Sequence, residues 1–493
     1  MSAQAALHEA PDQTSFLATR QGKLTLVFLC MVGFLDFVDA SIVNVALPTI
    51  RDDLHFSVQN LQWVLSGYLL TYGGFMLLGG RAADLLGRRR VLVTGMVVFA
   101  LASLTGGLAT DSTMLIGARL VQGLGAAMML PATLSILTTT FHEGRDRNTA
   151  LGAWGAIAGL ASAVGVFLGG LLTEDVGWRW VLWVNLPVCA ALLVATFRIV
   201  GGDRPLGRVR NFDALGSLFV TGGMLLLIYT LVKAPTVGWE TTRTVVGLAV
   251  AGLLLLAFFV NERRSANPLV PLSIFRIKGL AAADATQVIA MAGFYSMFFF
   301  ITLYMQNVLG FSQIQAGTAY LPVTAGVVVS SGIASQLFAR LGTRPIIVAG
   351  ALISAGAVFW LSRIPVDGSY LGDLLPGLLI MSFGLGFVFV GVNTAANAGV
   401  PPEEAGLAAA LVNTSTWLGG ALGLAIFSVI ATTRTQHLLG VHARQPDALT
   451  SGFREALVAC SIFLAVAALI ALRATNTRGE SAAADAAPAL EGA

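Results

Sequence analysis

Residues 35–48 read LDFVDASIVNVALP and set two carboxylates, Asp36 and Asp39, inside an apolar run long enough to cross a bilayer. An ionisable side chain at membrane depth costs roughly 2.5–3.5 kcal/mol on insertion scales, so it marks a functional site by default. Three residues apart on a helix, the two acids share one face, about a turn from each other. Most of the remaining sequence reads as machinery for presenting that face to one side of a membrane and then to the other.

The surrounding composition supports that setting. Of 493 residues, 56% are hydrophobic and 11% charged, with a mean hydropathy of +0.79. A soluble domain carries about 25% charged residues, so an ordinary globular enzyme is excluded. Apolar runs of about 20 residues recur along the whole chain, separated by short charged or Gly/Pro-bearing links. They predict spans over 24–47, 60–83, 91–110, 113–138, 149–172 and 179–200, a pair over 214–232 and 244–262, and six more over 280–305, 314–338, 345–363, 371–397, 405–430 and 452–472. The expected organisation is therefore a tail (1–23), a six-helix bundle (24–200), a basic linker (201–213), an inserted transmembrane hairpin (214–262), a second linker (263–279), a second six-helix bundle (280–472) and a disordered tail (473–493). Residues 1–20 are polar and contain acids, so no cleavable signal is expected before the first span.

An even number of spans puts both termini on one side. Of the 29 Lys and Arg residues, roughly twenty fall on the N-terminal side and eight on the other, and Arg119 lies within a span. Basic loops stay in the cytoplasm, so both termini are expected there, in a multi-pass protein of the cell membrane. Cys30, Cys189 and Cys460 lie far apart in or near apolar runs, with neither metal-ligand nor disulfide spacing. All five histidines and all three lysines are expected in tails or loops, and no phosphate-cradling loop or nucleophile triad stands out. No metal, cofactor, nucleic-acid partner or enzymatic activity is expected.

A repeat is visible at the second loop of each bundle: LGRRRVLVTG at 86–95 matches LGTRPIIVAG at 341–350. Parallel repeats of this size build many transporters, with the substrate site near the midplane between halves. Gly80, Asp84, Gly87, Arg88, Arg89 and Arg90 form a loop whose glycines suit a tight turn and whose arginines anchor one membrane face. The second copy has Ala339 where Asp84 stands. Asp39 and Arg119 each lie six to eight residues from the outer end of their spans, about 10 Å deep at 1.5 Å per residue, so they can reduce each other's burial penalty. A structural ion pair and a proton-exchanging acid both fit that placement. Asp36 reads as a second titrating partner or a cavity-lining acid. Asn44, Trp63, Tyr68, Gln122, Gln306 and Asn393 are candidate cavity residues, with interhelical bonding as the alternative for each. Asp284 reads as an interfacial acid at a helix start.

These motifs together resemble the major facilitator superfamily. The 80–90 loop is similar to its loop signature and Arg119-Leu-Val-Gln122-Gly123 to its fourth-span motif. Asp39-Ala-Ser-Ile-Val-Asn44-Val-Ala-Leu-Pro48, Trp178-Arg-Trp180, Asn185-Leu-Pro187 and Phe212-Asp213 are similar to its fourteen-span drug:proton antiporter branch. Ala161-Ser-Ala-Val-Gly165-Val166-Phe-Leu-Gly169-Gly170 resembles the fifth-span antiporter motif, with Val166 in place of the usual proline and Ala161 in place of the first glycine. The resemblance implies an all-α fold of two six-helix bundles plus an inserted hairpin, fourteen spans in all, with a loop gate that closes the cytoplasmic side. It implies a proton-coupled exporter of hydrophobic or cationic drugs, driven by the proton gradient and working as a monomer. Proton-coupled uptake of a nutrient or siderophore-like molecule is the alternative reading, and a membrane-embedded sensor or enzyme the third.

Overall fold

The computed structural model describes residues 16–141, 145–202, 213–265, 268–270, 272–400 and 405–477. Side chains of some helical residues, Arg81, Asp84 and Ala339 among them, lie outside that description. The described residues form helices and turns, with no strand among them.

The N-terminal half comprises α1 (Arg20–Asp53), α2 (Val58–Leu61), α3 (Trp63–Leu86), α4 (Arg88–Gly107), α5 (Ser112–Thr140), α6 (Arg145–Asp175), α7 (Arg179–Trp183) and α8 (Asn185–Ile199). The hairpin is α9 (Ala214–Val237) and α10 (Thr242–Arg264). The C-terminal half comprises α11 (Leu280–Asn307), α12 (Gln313–Thr318), α13 (Leu321–Leu341), α14 (Thr343–Leu361), α15 (Leu375–Asn397, entered through a π-helical turn at Tyr370–Leu374), α16 (Ala405–Gly440) and α17 (Gln445–Ala471). Among the described residues, 11 helical segments are long and apolar enough to cross a membrane. The chain is thus an all-α, multi-pass membrane protein. Large apolar side chains such as Leu253, Leu256 and Phe259 of α10 face outward, as a lipid environment requires.

Several helices differ from the spans expected of them. α1, α16 and α17 outrun 24–47, 405–430 and 452–472, because Thr19 caps α1 on Gly22 N and polar turns continue past the apolar runs. The spans expected at 179–200 and 314–338 are each made of two helices, interrupted at Val184 and at Ala319–Tyr320. A hydropathy window does not register such breaks.

The repeat seen in sequence has a structural counterpart. Gly87 joins α3 to α4 at φ +102°, and Gly342 joins α13 to α14 at φ +82°. Both are backbone conformations that a Cβ disfavours, so each half turns its second loop on a glycine.

The end of the bundle where α1 begins is called here the near end, and the end where it finishes the far end. Gln306 Nε2 donates to Val45 O at 3.0 Å, Gln313 Nε2 to Thr49 Oγ1 at 2.8 Å, and Ile314 N to Glu174 Oε2 at 3.2 Å. These bonds join the far ends of α1 and α6 to α11 and α12. Small residues let the backbones approach: a Cβ on Gly170 would meet Gln313 O at 2.7 Å, and one on Gly317 would meet Val166 O at 2.7 Å. The far end is closed. The hairpin packs on both halves, since α9 contacts α3 and α16, and Thr221 Oγ1 donates to Gly74 O at 3.2 Å.

Candidate functional site

Asp39 sits mid-helix on α1, wholly buried, at the centre of a cluster drawn from five helices. Arg119 of α5 donates through Nη1 to Asp39 Oδ2 at 2.8 Å. Gln122, one turn further along α5, donates through Nε2 to Asp39 Oδ1 at 2.8 Å. Asn185 at the start of α8 donates to the same oxygen at 2.6 Å. Gln122 Nε2 also reaches Ser103 Oγ of α4 at 2.8 Å. Arg119 is held from its other sides: Nε donates to Val64 O at 3.0 Å, Nη1 to Gln122 Oε1 at 2.6 Å, and the guanidinium lies over the Tyr68 ring at 4.2 Å.

Two charges taken this far from water persist only with good geometry and compensating hydrogen bonds; Arg119 Nη2 and Asn185 Oδ1 stay buried without a partner among the described residues. The carboxylate oxygens here accept three bonds, two of them from neutral amides. Protonating Asp39 would therefore remove the counter-charge of Arg119 while leaving most of the surrounding scaffold in place.

Asp36 lies one turn nearer the start of α1 and has different neighbours. Tyr68 OH donates to its Oδ1 at 3.2 Å, and Tyr72 OH donates to its Oδ2. Tyr72 stacks on Trp417 of α16 at 4.3 Å, and Tyr295 of α11 lies 6.1 Å from the same indole. Asp39 is thus enclosed by its own half, while Asp36 sits behind an aromatic cluster shared by both halves.

The helix carrying both acids is gripped by α6. A Cβ on Gly165 would meet Val38 O at 2.8 Å, and one on Gly169 would run into Ile42 O. At the near end, Gly80 approaches Pro131, Arg88 Nη1 donates to Thr139 Oγ1 at 2.9 Å, and Arg89 lies over Phe197 at 4.8 Å. Arg90 is exposed, and its carbonyl accepts from Thr94 Oγ1 at 2.9 Å. The Asp84 side chain lies outside the described residues.

Of the remaining candidates, Tyr68 and Gln122 belong to the clusters around the two acids. Trp63 is buried at the first turn of α3, and Gln306 serves the far-end closure. Asn44 keeps a buried Oδ1 without a partner among the described residues. Asn393 is not brought to the site, since its amide bonds Phe389 O of its own helix. Ser103 and Trp417 were not candidates from sequence. Asn185 enters the sequence reading only within Asn185-Leu-Pro187, inside the span expected at 179–200, with nothing to mark its reach to Asp39. No group of three or more potential metal ligands exists among the described residues.

The chain as a whole is similar to known proteins. The sequence profile of the Major Facilitator Superfamily matches residues 29–424. The puromycin resistance protein pur8 of Streptomyces alboniger is 37% identical over 464 residues, covering 93% of this chain and 92% of that protein. The cephamycin export protein CmcT of Amycolatopsis lactamdurans is 38% identical over 456 residues, covering 92% of each. Among solved structures, a bacterial homologue of the human lysosomal transporter Spinster, in an inward-facing and occupied conformation, aligns with a TM-score of 0.63 at 17% identity, covering 92% of this chain and 97% of that one.

Proposed function

From the premise that the chain belongs to the Major Facilitator Superfamily, we propose that it is a secondary active transporter that exports hydrophobic or cationic antibiotic-like compounds in exchange for protons. The observation that carries this reading is the buried Asp39–Arg119 pair with its amide scaffold, an ionisable centre inside a membrane-spanning helix. The names of the relatives, a resistance protein and an export protein, support the direction.

Asp39 is the proton-exchanging group in this proposal. A cationic substrate in the cavity favours its ionised form, and protonation in turn weakens the hold on the substrate, because coupling between two ligands is reciprocal. Asp36 is the second acid of the site, as titrating partner or cavity lining. The protein alternates between the far-closed state described above and a near-closed state, with the 80–90 loop and Asp84 as the near-end gate.

The fourteen-span arrangement belongs to the same proposal. The eleven spans are joined by α3, α6 and α9, which have 24, 31 and 24 residues. The two bundles are then 24–200 and 280–472, flanking the hairpin 214–262. The excess of basic residues at the near end supports a cytoplasmic near end, with both termini on that side. The protein acts as a monomer and needs no cofactor beyond the proton gradient.

The test is flux in proteoliposomes with an imposed pH gradient, using ethidium, puromycin and a cephamycin beside the Asp39→Asn variant. Movement of substrate against protons in the wild type, lost in the variant, is expected. Movement with the protons would make the protein an importer. Full uphill export by Asp39→Asn would remove Asp39 from the mechanism.

A further inference from the structure

The C-terminal half holds an acid that this mechanism does not use. Asp284, the fifth residue of α11, is 7% exposed, and both carboxyl oxygens are buried without a hydrogen-bond partner among the described residues. It is therefore packed inside the protein rather than exposed at the helix start. Leu280, one turn before it, belongs to an apolar cluster with Ile274, Ala408 and Leu411. Gln287, three residues on and on the same helix face, donates Nε2 to Thr416 Oγ1 of α16 at 2.8 Å, while its Oε1 is buried and unpartnered.

Charged groups on the elements packed against α11 lie elsewhere. Arg276 and Lys278 before α11, and Arg473 after α17, are exposed. Arg434, Asp447, Arg454 and Glu455 lie toward the far ends of α16 and α17, where Arg434 pairs with Glu455 and Arg454 Nε donates to Ile364 O. On α1, Asp36 and Asp39 have the partners given above, Asp52 and Asp53 at its far end pair with Arg51 and Arg179, and Arg20 and Lys23 at its near end are exposed. Asp373 precedes α15 at the far end. Glu403 and Glu404 lie outside the described residues.

An ionised carboxylate in this position would be an acceptor with no donor, one turn from a second unpartnered acceptor. A neutral carboxyl instead brings an O–H to a helix face where Gln287 Oε1 has none. We propose that Asp284 is a second proton-binding site, carried by the C-terminal half and separate from Asp39, and that it holds its proton in the far-closed conformation. Protein rearrangement between α11 and α16, admitting water, would let that proton leave. Its part in coupling rests on the proton-exchange reading above, whereas its protonation does not.

The decisive measurement is infrared difference spectroscopy of the purified full chain at neutral pH, comparing wild type with Asp284→Asn, Asp284→Glu and Asp39→Asn. A protonated-carboxyl band that disappears in Asp284→Asn, shifts in Asp284→Glu and survives in Asp39→Asn is expected. Wild-type and Asp284→Asn spectra that superimpose would overturn the proposal, whatever the flux assays show. Should Asp284→Asn not fold, an unshifted band in Asp284→Glu overturns it equally. Where tetraphenylphosphonium is exported, Asp284→Asn lowers the protons exchanged per cation. A lost infrared band with no proton-coupled flux would leave the site standing and remove the antiport reading instead.

Discussion

Tyr72 of α3 and Trp417 of α16 stack at 4.3 Å between ring centroids with 21° between their planes, so the hydroxyl that bonds Asp36 is steered by a residue of the other half. On the reading proposed above, the acid behind that stack is the one expected to respond to the relative position of the halves, since the direct partners of Asp39 all come from its own half.

Trp417→Ala removes an aromatic contact worth about 0.5–1.5 kcal/mol beyond area burial. Tyr72→Phe keeps the stack but leaves a buried carboxylate oxygen without its donor, at about 1–3 kcal/mol. Both variants are expected to alter the apparent affinity for cationic substrates more than for neutral ones. Competition assays with ethidium and a neutral antibiotic check this, and equal shifts for both classes would refute it.

Asp39→Asn leaves Arg119 buried with no counter-charge, and Arg119→Gln leaves Asp39 in the same position. Breaking a buried pair in this way destabilises by about 3–5 kcal/mol, whereas replacing both charges is often nearly neutral. Each single variant is expected to lower the thermal midpoint of the detergent-solubilised protein, and the double variant to recover most of the loss. Proton-coupled transport stays absent in all three. A double variant as unstable as the sum of the singles would show that the surrounding amides, rather than the charges, hold the cluster.

Gly170→Ala places a methyl group 2.7 Å from Gln313 O and 2.8 Å from Ile314 Cα, at the joint that closes the far end. The expected result is a shift toward the far-open state, seen as increased labelling of a cysteine placed at Thr49. Gly165→Ala presses on α1 within the same half, so it is expected to reduce stability without that shift. Equal labelling of the two variants would argue against a joint at Gly170.

Gly87→Ala and Gly342→Ala force a Cβ into conformations at φ +102° and +82°. Each is expected to destabilise by about 1–3 kcal/mol, read as a lower thermal midpoint. Comparable losses at the two positions would reflect the shared construction of the halves.

The fold was legible because the bilayer imposes one strong rule, an apolar run of about twenty residues per crossing. Asp39 and Arg119 were legible for the converse reason, since charge inside such a run stands out. Ser103 and Asn185 were not: single small polar residues are common in membrane helices, and their role depends on which helix lies opposite. Trp417 carries no sign in sequence that it reaches across to Tyr72. Asn393 looked like Asn44 on paper, yet it turns back to its own backbone. The breaks at Val184 and at Ala319–Tyr320 each precede a proline in the first turn of the next helix, Pro187 and Pro322, a local signal that a hydropathy window averages away.

The position of α9 makes the two flanks of the molecule unequal to a solute already dissolved in lipid. Where α3 meets α16, a helix lies across the crevice and is bonded to it through Thr221 and Gly74. Among the described residues, no added helix lies over the opposite flank, where α6 meets α13. On the export reading proposed above, a lipophilic compound entering sideways from lipid is expected to pass between α6 and α13, with the hairpin as the shutter on the other flank. Bulky labels on Phe167 should hinder uptake of membrane-dissolved substrates, while labels on Leu218 should not; hindrance at Leu218 alone would put the door on the shuttered side.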